Sequence, residues 1–565
     1  MIAEMRRRLA ALIDKLYRPE ESAILKALVL GLRSDVSPEV RNSFFKSGTI
    51  HLLAISGLNI TMIAGTFYLI FLCLGIPYRI TALLTILIVW NYVGLAGAGI
   101  PVQRAGYGAI LVLAGALIGR PSSLLNVLCF ALCSILLWSP MSLWNIGLQL
   151  SFLSVFSLIL VLPLLSRFNA WMLSLGSSLA VLLGTFPVIL FYFNIFSPVS
   201  ILANLAAIPL FDGALFTALF ALIFNGVPFM GIFFARISSW ILGAGLAWVR
   251  HLSFLRGGYW FFERPGPWLL MAYYACLGLV LFFHKKTFPG KRWLMTGLMV
   301  CWLTVTAIFF IKPDQKRFEA AIFASGRNQV LYARFANGAE WLLNAGRSFP
   351  SDQGEWLIVP FLRGRGSRSL EGIAFTDLSR KHTGGMGSVL RDFPARFILY
   401  PSGYADTARE IFGHRPRHGS SVRAFQAGNS IHMEMETVRV LACSKKGTAL
   451  MIETGPWRLL LVSRWDAELF TELLKRWDDA NEIHAVFLPA LDYGIPPEFR
   501  SWFDRVRPIL TVSYKPAEDL ERFLASRSAP SIDLEHSGAL FFRREGLKLT
   551  LSSYVKGSMG FYSYH

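Results

Sequence analysis

Between Arg41 and Trp260 this 565-residue chain carries a single acidic residue, Asp212. Between Ile50 and Trp260 it carries no lysine and seven arginines. A water-facing surface needs interspersed charge of both signs, so a stretch this long and this poor in charge excludes an ordinary soluble domain. The rest of the composition agrees, with a mean hydropathy of +0.48, 54% hydrophobic residues and 45 Phe. From Lys312 onward charge returns, with 34 Lys and Arg against 28 Asp and Glu. The pattern predicts amphipathic juxtamembrane helices over residues 1–50, lying on the lipid surface or packed against the bundle, a transmembrane domain over 51–311 and a soluble domain over 312–565.

A helical span needs about 20 apolar residues. On that measure the membrane half divides into nine spans, at 52–75, 79–99, 104–119, 122–139, 143–165, 171–194, 198–226, 228–250 and 267–284, with a tenth at 292–311. Several are short or interrupted by Pro198, Pro209 and Pro228. Broken helices survive in lipid only where protein or water covers the freed backbone, which favours a cavity or channel over a simple anchor. Ahead of the spans, Leu9, Leu12, Ile13 and Leu16 form one apolar stripe, Pro19-Glu20-Glu21 fits a first helical turn, and Ser37-Pro38-Glu39 reads as a cap. No cleavable signal peptide is legible in the lead.

Of the formal charge of +19, residues 1–311 hold +13 and residues 312–565 hold +6. Basic excess around spans suits the positive-inside bias, and it equally suits a path for a polyanion. The connector with Lys285, Lys286, Lys291 and Arg292, if cytoplasmic, places the C-terminal domain outside the cytoplasm. Five of six Cys lie in apolar segments, and no disulfide framework or zinc-type spacing is present.

Polar groups inside apolar helices usually face a bundle interior or a water-filled path. Residues 51–65 carry His51, Ser56, Asn59 and Thr61 into such a helix. Arg104 at a span start either snorkels or meets phosphate. Gln149 reads as an interhelical hydrogen-bond partner, and Asp212 as half of an ion pair with Arg236 or Arg104.

Residues 51–59, His-Leu-Leu-Ala-Ile-Ser-Gly-Leu-Asn, resemble the signature of the ComEC family of DNA-uptake channels, with Asn59 where that family has a second His. Tyr92, Gly97, Pro101 and Arg104-Ala105 follow the family order. So do Gly147 with Gln149-Leu150-Ser151-Phe152, and then Pro187, Phe193, Asn204 and Pro209. The resemblance implies a channel or DNA path lined by His51, Ser56, Asn59, Tyr92, Arg104, Gln149, Asn204 and Asp212. The family's extra N-terminal spans and oligonucleotide-binding-like domain are not expected in this chain.

The C-terminal half alternates short β runs with helices, as an α/β or layered α+β domain does. It resembles the family's metallo-β-lactamase-like domain through Trp341-Leu-Leu-Asn344-Ala-Gly346, Val359-Pro360-Phe361-Leu362-Arg363 and Arg507-Pro508. The resemblance also shows the metal motif decayed. Asp377 stands for the first His, Ser379 for the first Asp and Lys381 for the second Asp, and only His382 survives. Ser463-Arg464 replaces the bridging Gly-Asp, and Leu491-Asp492-Tyr493-Gly494 replaces the late His-His-Gly. A two-metal site needs several converging His and carboxylate ligands, and no spacing recommends His414, His418, Glu434 or Glu436 as substitutes. No cofactor, no metal and no catalytic residue is therefore expected.

The resemblance implies a multi-pass protein of the bacterial plasma membrane that passes single-stranded DNA inward, with a cytoplasmic ATP-driven motor and a separate DNA receptor as partners besides the lipid bilayer. Two readings from other classes stand beside it, a membrane-anchored metallo-nuclease and a small-anion or lipid transporter built on the same bundle.

Overall fold

A computed structural model describes residues 2–564 except 56, 98, 121–122, 166–168, 228, 256, 285–290, 312–316, 326–327, 350, 413–418, 434–435, 445–446, 477–481, 492–493, 546–547 and 556–557. The chain divides into two compact units, Met1–Phe310 and Ile311–His565. The basic connector at 285–290 lies outside the described residues.

The first unit is helical: α1 Ile2–Leu16, α2 Pro19–Leu30, α3 Pro38–Lys46, α4 Gly57–Cys73, α5 Tyr78–Leu95, α6 Ile100–Leu117, α7 Leu124–Trp138, α8 Ile146–Leu165, α9 Ala170–Phe193, α10 Ser200–Ile223, α11 Met230–Ser253, α12 Pro267–His284 and α13 Lys291–Ile308. Among the described residues α5, α6, α8, α9, α10 and α11 are long and apolar enough to cross a membrane, and α4, α7, α12 and α13 are apolar but shorter. The expected span at 52–75 starts later, at Gly57, after a 3₁₀ turn over Ile50–Leu53.

Helix α2 packs inside the bundle. It is buried from Ser22 to Leu30 and shares one apolar core with α4, α5, α10 and α11. Its sequence explains this, since Ser22-Ala-Ile-Leu-Lys-Ala-Leu-Val-Leu30 is apolar on nearly every face. Its one cation, Lys26, is neutralised by Asp14 at 2.9 Å and Asp35 at 2.6 Å.

Helix α9 contains Pro187. A helical proline removes its own N–H and clashes with the carbonyl four residues back. That carbonyl, Leu183, accepts from the Tyr273 hydroxyl at 2.8 Å, and the next, Gly184, accepts from the Tyr274 hydroxyl at 2.9 Å. Two adjacent tyrosines on α12 thus satisfy the backbone that the proline frees, and Tyr273 sits in an aromatic cluster with Phe186 and Phe309.

The second unit is a two-sheet sandwich with helices outside, the layered α/β fold expected. A nine-stranded sheet runs in the order Ser558–Tyr564, Lys548–Val555, Ala539–Glu545, Glu319–Ser325, Asn328–Arg334, Glu340–Leu343, Leu370–Ala374, Ala395–Pro401 and Ser421–Phe425. A seven-stranded sheet runs Ser531–Asp533, Leu510–Ser513, Ala485–Leu488, Trp457–Val462, Thr448–Thr454, Glu436–Cys443 and Ser430–Met433. Their facing sides share a core that includes Ile322, Leu331, Leu450, Leu459 and Phe487. Helices Ala467–Arg476, Pro497–Val506 and Glu518–Ser526 cover the outer face of the smaller sheet through Phe470, Phe499 and Trp502. Phe361 covers Phe323 and Tyr332 on the outer face of the larger one.

Tyr273→Phe removes the hydroxyl and leaves the Leu183 carbonyl orphaned beside Pro187. An unpaired buried acceptor costs about 1–3 kcal/mol, so the variant in lipid nanodiscs is expected to unfold at a clearly lower temperature than the parent. An unchanged midpoint would mean that the hydroxyl does not support the helix break.

Candidate functional site

The signature residues of the first unit do not converge on one surface. Asn59 on α4 is buried, and its Nδ2 donates to the Leu28 carbonyl at 3.4 Å. Tyr92 on α5 is buried, and its hydroxyl donates to the Val29 carbonyl at 2.8 Å. Arg6 on α1 donates to the Leu30 carbonyl at 2.7 Å. These are the last carbonyls of α2, which have no partner within the helix. Asn59 and Tyr92 therefore fasten a buried helix end. Gly31 closes the same end in the left-handed conformation, φ 72°, with the Ala96 carbonyl 2.8 Å from where a Cβ would stand.

His51 lies on the 3₁₀ turn ahead of α4 and is exposed, so it is not carried within the helix. Ser56 lies outside the described residues. Thr61 is exposed and bonds back to the Gly57 carbonyl at 3.0 Å. Arg104 reaches from α6 to the start of α4, where its guanidinium lies 3.1 Å from the position of a Cβ on Gly57, and it stands 6.0 Å over the Phe152 ring of α8. Its Nε is buried with no hydrogen-bond partner among the described residues. Arg104 thus joins three signature segments, those at Gly57, Arg104 and Phe152.

Gln149 is not an interhelical partner. Its Nε2 donates to Leu143 on the turn just before its own helix, at 3.1 Å. Asn204 is half-buried on α10, and its Oδ1 finds no donor among the described residues. Asp212 is half-buried on the same helix, and no ion pair reaches it among the described residues, with Arg236 exposed. The ion pair expected for Asp212 is therefore not formed there.

In the second unit the residues around Asp377 and His382 form a hydrogen-bonded hub. Asp377 accepts from the Ser379 backbone N–H at 2.8 Å and faces His382 Nδ1 at 2.9 Å. Asn344, held at φ 60°, donates to the Gln329 carbonyl at 2.9 Å and accepts from the Thr376 N–H at 3.0 Å and from its hydroxyl at 3.1 Å. The Thr448 hydroxyl donates to the Thr376 carbonyl at 2.9 Å and so ties the two sheets together. The His382 carbonyl accepts from Ala345 at 2.7 Å. A Cβ on Gly385 would stand 2.2 Å from the Ala345 carbonyl, and one on Gly384 2.4 Å from the Ser348 nitrogen.

Lys381, Ser379 and Arg464 are exposed at this edge. Asp377, Arg464, Cys443 and Asp466 surround the Tyr404 phenol, whose pKa burial pushes up. Asp492, Tyr493, His414, His418 and Glu434 lie outside the described residues, and Glu436 is buried facing Arg544 at 3.8 Å. Among the described residues no group of three His, Cys, Asp or Glu side chains is placed to hold a metal ion. The donor set does not fit two-metal chemistry, because His382 is spent on Asp377 and the cations Lys381 and Arg464 stand where carboxylates would be needed.

The family described as Competence protein matches residues 28–287. The membrane half of this chain is similar to that family. The chain is 25% identical over 503 residues to ComE operon protein 3 of Bacillus subtilis (strain 168), covering 83% of this chain and 63% of that protein. It is 28% identical over 422 residues to the uncharacterized protein YcaI of Escherichia coli (strain K12), covering 70% of this chain and 53% of that protein. The chain thus spans less than two thirds of the length of either relative. Among solved structures, the metallo-β-lactamase fold protein YhfI from Bacillus subtilis is similar over its whole length to 40% of this chain, at 8% identity and a TM-score of 0.29. A diphosphatase of the PhnP family is similar over 98% of its length to 40% of this chain, at 15% identity and a TM-score of 0.28.

Burial acts to raise the Asp377 carboxyl, but the His382 hydrogen bond and charge, with the bonds from Ser379, outweigh it and hold the group at about 2. A depressed carboxyl contributes stability that is complete above its unfolded value near 3.8 and is lost as pH falls through about 2. Asp377→Asn is expected to cost about 2 kcal/mol near neutral pH. In urea unfolding of the full chain, the gap to the parent should close between about pH 4 and pH 2. A gap that stays constant over that range would remove the ion pair from the account of this edge.

Proposed function

We propose that the membrane half forms a path for single-stranded DNA across the bacterial plasma membrane during natural transformation. The observation that carries this reading is the match of residues 28–287 to the competence family, joined to the place of Arg104, where three signature segments meet. A polyanion path needs cations that are not neutralised by local carboxylates. Arg104 meets that need, since the segment around it is almost free of acid. Exposed His51 at the entrance of α4 is the second candidate, and Asn204, with an unsatisfied carbonyl oxygen, the third. Ser56, Gln149 and Asp212 complete the polar set assigned to the path or its walls.

The soluble unit on this reading lies outside the cytoplasm and serves assembly or DNA contact without metal chemistry. A cytoplasmic ATP-driven motor and a separate DNA receptor act with the channel.

The test is uptake of labelled DNA into the cytoplasm of a deletion strain carrying this chain, His51→Ala or Arg104→Gln. The parent chain is expected to restore uptake. Arg104→Gln is expected to lower it about tenfold, the effect of losing roughly 1.4 kcal/mol of phosphate contact, with unchanged amounts of protein in the membrane. Equal uptake with the deletion, the parent and both variants would overturn the reading and favour a transporter of small anions or lipids.

A further inference from the structure

The sandwich of the second unit is not filled. Between its two sheets lies a cavity of about 420 Å³, within the range of small-molecule sites. Its walls are apolar and come from both sheets: Trp341, Phe397 and Leu399 on one side, Val438, Val440 and Ile452 on the other. It reaches the surface where both sheets end, beside the edge strands Ser421–Phe425 and Ser430–Met433. The rim there is polar and exposed, with Arg423, Asn429 and Ser430. None of the residues of the decayed metal motif lines it.

An empty apolar void of this size is costly to a marginally stable domain, since the loss grows with cavity volume. Water does not settle in it readily, because a buried water needs two to four polar partners and the inner walls offer almost none. The occupant is therefore apolar over most of its length. The rim adds one more property. Arg423 and Arg396 flank the Phe397 ring at 5.1 Å and 5.0 Å. Arg396 is paired with Glu371 at 3.1 Å, whereas the hydrogen bond recorded for Arg423 goes to the Ser421 hydroxyl, and no carboxylate pairs with it among the described residues. An apolar tunnel with an uncompensated guanidinium at its mouth matches a molecule with a long hydrocarbon tail and a negative head.

We propose that this cavity binds a long-chain fatty acid, with the acyl chain between the sheets and the carboxylate at Arg423. The tail supplies affinity through burial of its methylenes, and the charge-assisted hydrogen bond to Arg423 fixes its direction. The proposal is independent of DNA uptake.

The test uses the full chain in lipid nanodiscs, photolabelled with a diazirine derivative of palmitate, with adducts mapped by peptide mass spectrometry. Labelling within residues 397–440 is expected, with adducts on the membrane helices as an internal standard for the lipid pool. Arg423→Glu, a rim substitution that leaves the apolar walls intact, should lower the labelling of 397–440 about fivefold relative to that standard, as loss of one partly exposed charge pair does. The diazirine derivative of hexadecanol should label the same segment as weakly as the variant is labelled by palmitate. Val438→Trp, which fills the cavity, should abolish the adducts. Adducts confined to the membrane helices, or labelling of 397–440 that ignores both Arg423→Glu and the loss of the carboxylate, would overturn the proposal.

Discussion

The first unit depends on how one buried helix ends. Helix α2 finishes inside the core of the bundle, where its last carbonyls can reach no water. Orphan carbonyls at a helix end must be met by side chains, a left-handed cap or a ligand. Here Arg6, Asn59 and Tyr92 come from three different helices to meet Leu30, Leu28 and Val29. Each of those side chains is a polar group that would itself be costly in an apolar core, so donor and acceptor remove each other's penalty. Their positions fix α1, α4 and α5 around α2. The same device holds α9 against α12, where Pro187 frees the Leu183 carbonyl and the Tyr273 hydroxyl meets it, with Tyr274 bonded to the neighbouring Gly184 carbonyl.

This fastening separates polar residues that share one apparent purpose in the sequence. A polar side chain in an apolar helix signals that something must be satisfied, and it does not say whether the partner is a backbone group or a passing substrate. Asn59 and Tyr92 are used up by the fold. Arg104 and Asn204 keep a buried polar atom without a partner among the described residues. The capacity that remains after folding, more than polarity itself, marks the groups that a substrate could engage.

The helices were legible because a strand of charge-poor chain has few ways to fold, and the apolar runs between glycines and prolines fall close to the helices observed. The start of α4 was not, because His51 and Leu52 look as apolar in context as the helix they precede, and a 3₁₀ turn has no sequence mark of its own. The burial of α2 was only half legible for a related reason. Its flanks, Arg18 and Arg33, are those of a surface helix, and only the Ala23–Leu30 run, apolar but for Lys26, speaks for the interior. In the second unit the parallel strands around Trp341, Ile373 and Ile398 were readable from their β-branched and aromatic runs. The strand Thr448–Thr454 and the C-terminal hairpin of Ala539–Glu545 with Lys548–Val555 were not, although Thr448–Thr454 pairs with both of its chain neighbours; only the pairing of Ala539–Glu545 with Glu319–Ser325 is set by a partner far away in sequence. The contributions of Arg6, Thr448 and the Tyr273–Tyr274 pair depend on carbonyls brought to them by tertiary structure, and nothing local announces them.

The edge around His382 is held by backbone and side-chain contacts alone. Gly384 and Gly385 are held by backbone that passes within 2.4 Å and 2.2 Å of where their side chains would begin. His382 is held by its carbonyl bond to Ala345 and its pairing with Asp377, and Asn344 by three hydrogen bonds that hold the loop after its strand. None of these constraints needs a metal. What the sandwich can still engage then lies elsewhere, at the edge where both sheets end over an unfilled apolar interior. The edge around Asp377 and His382 is a fastening, and space for something apolar lies between the sheets.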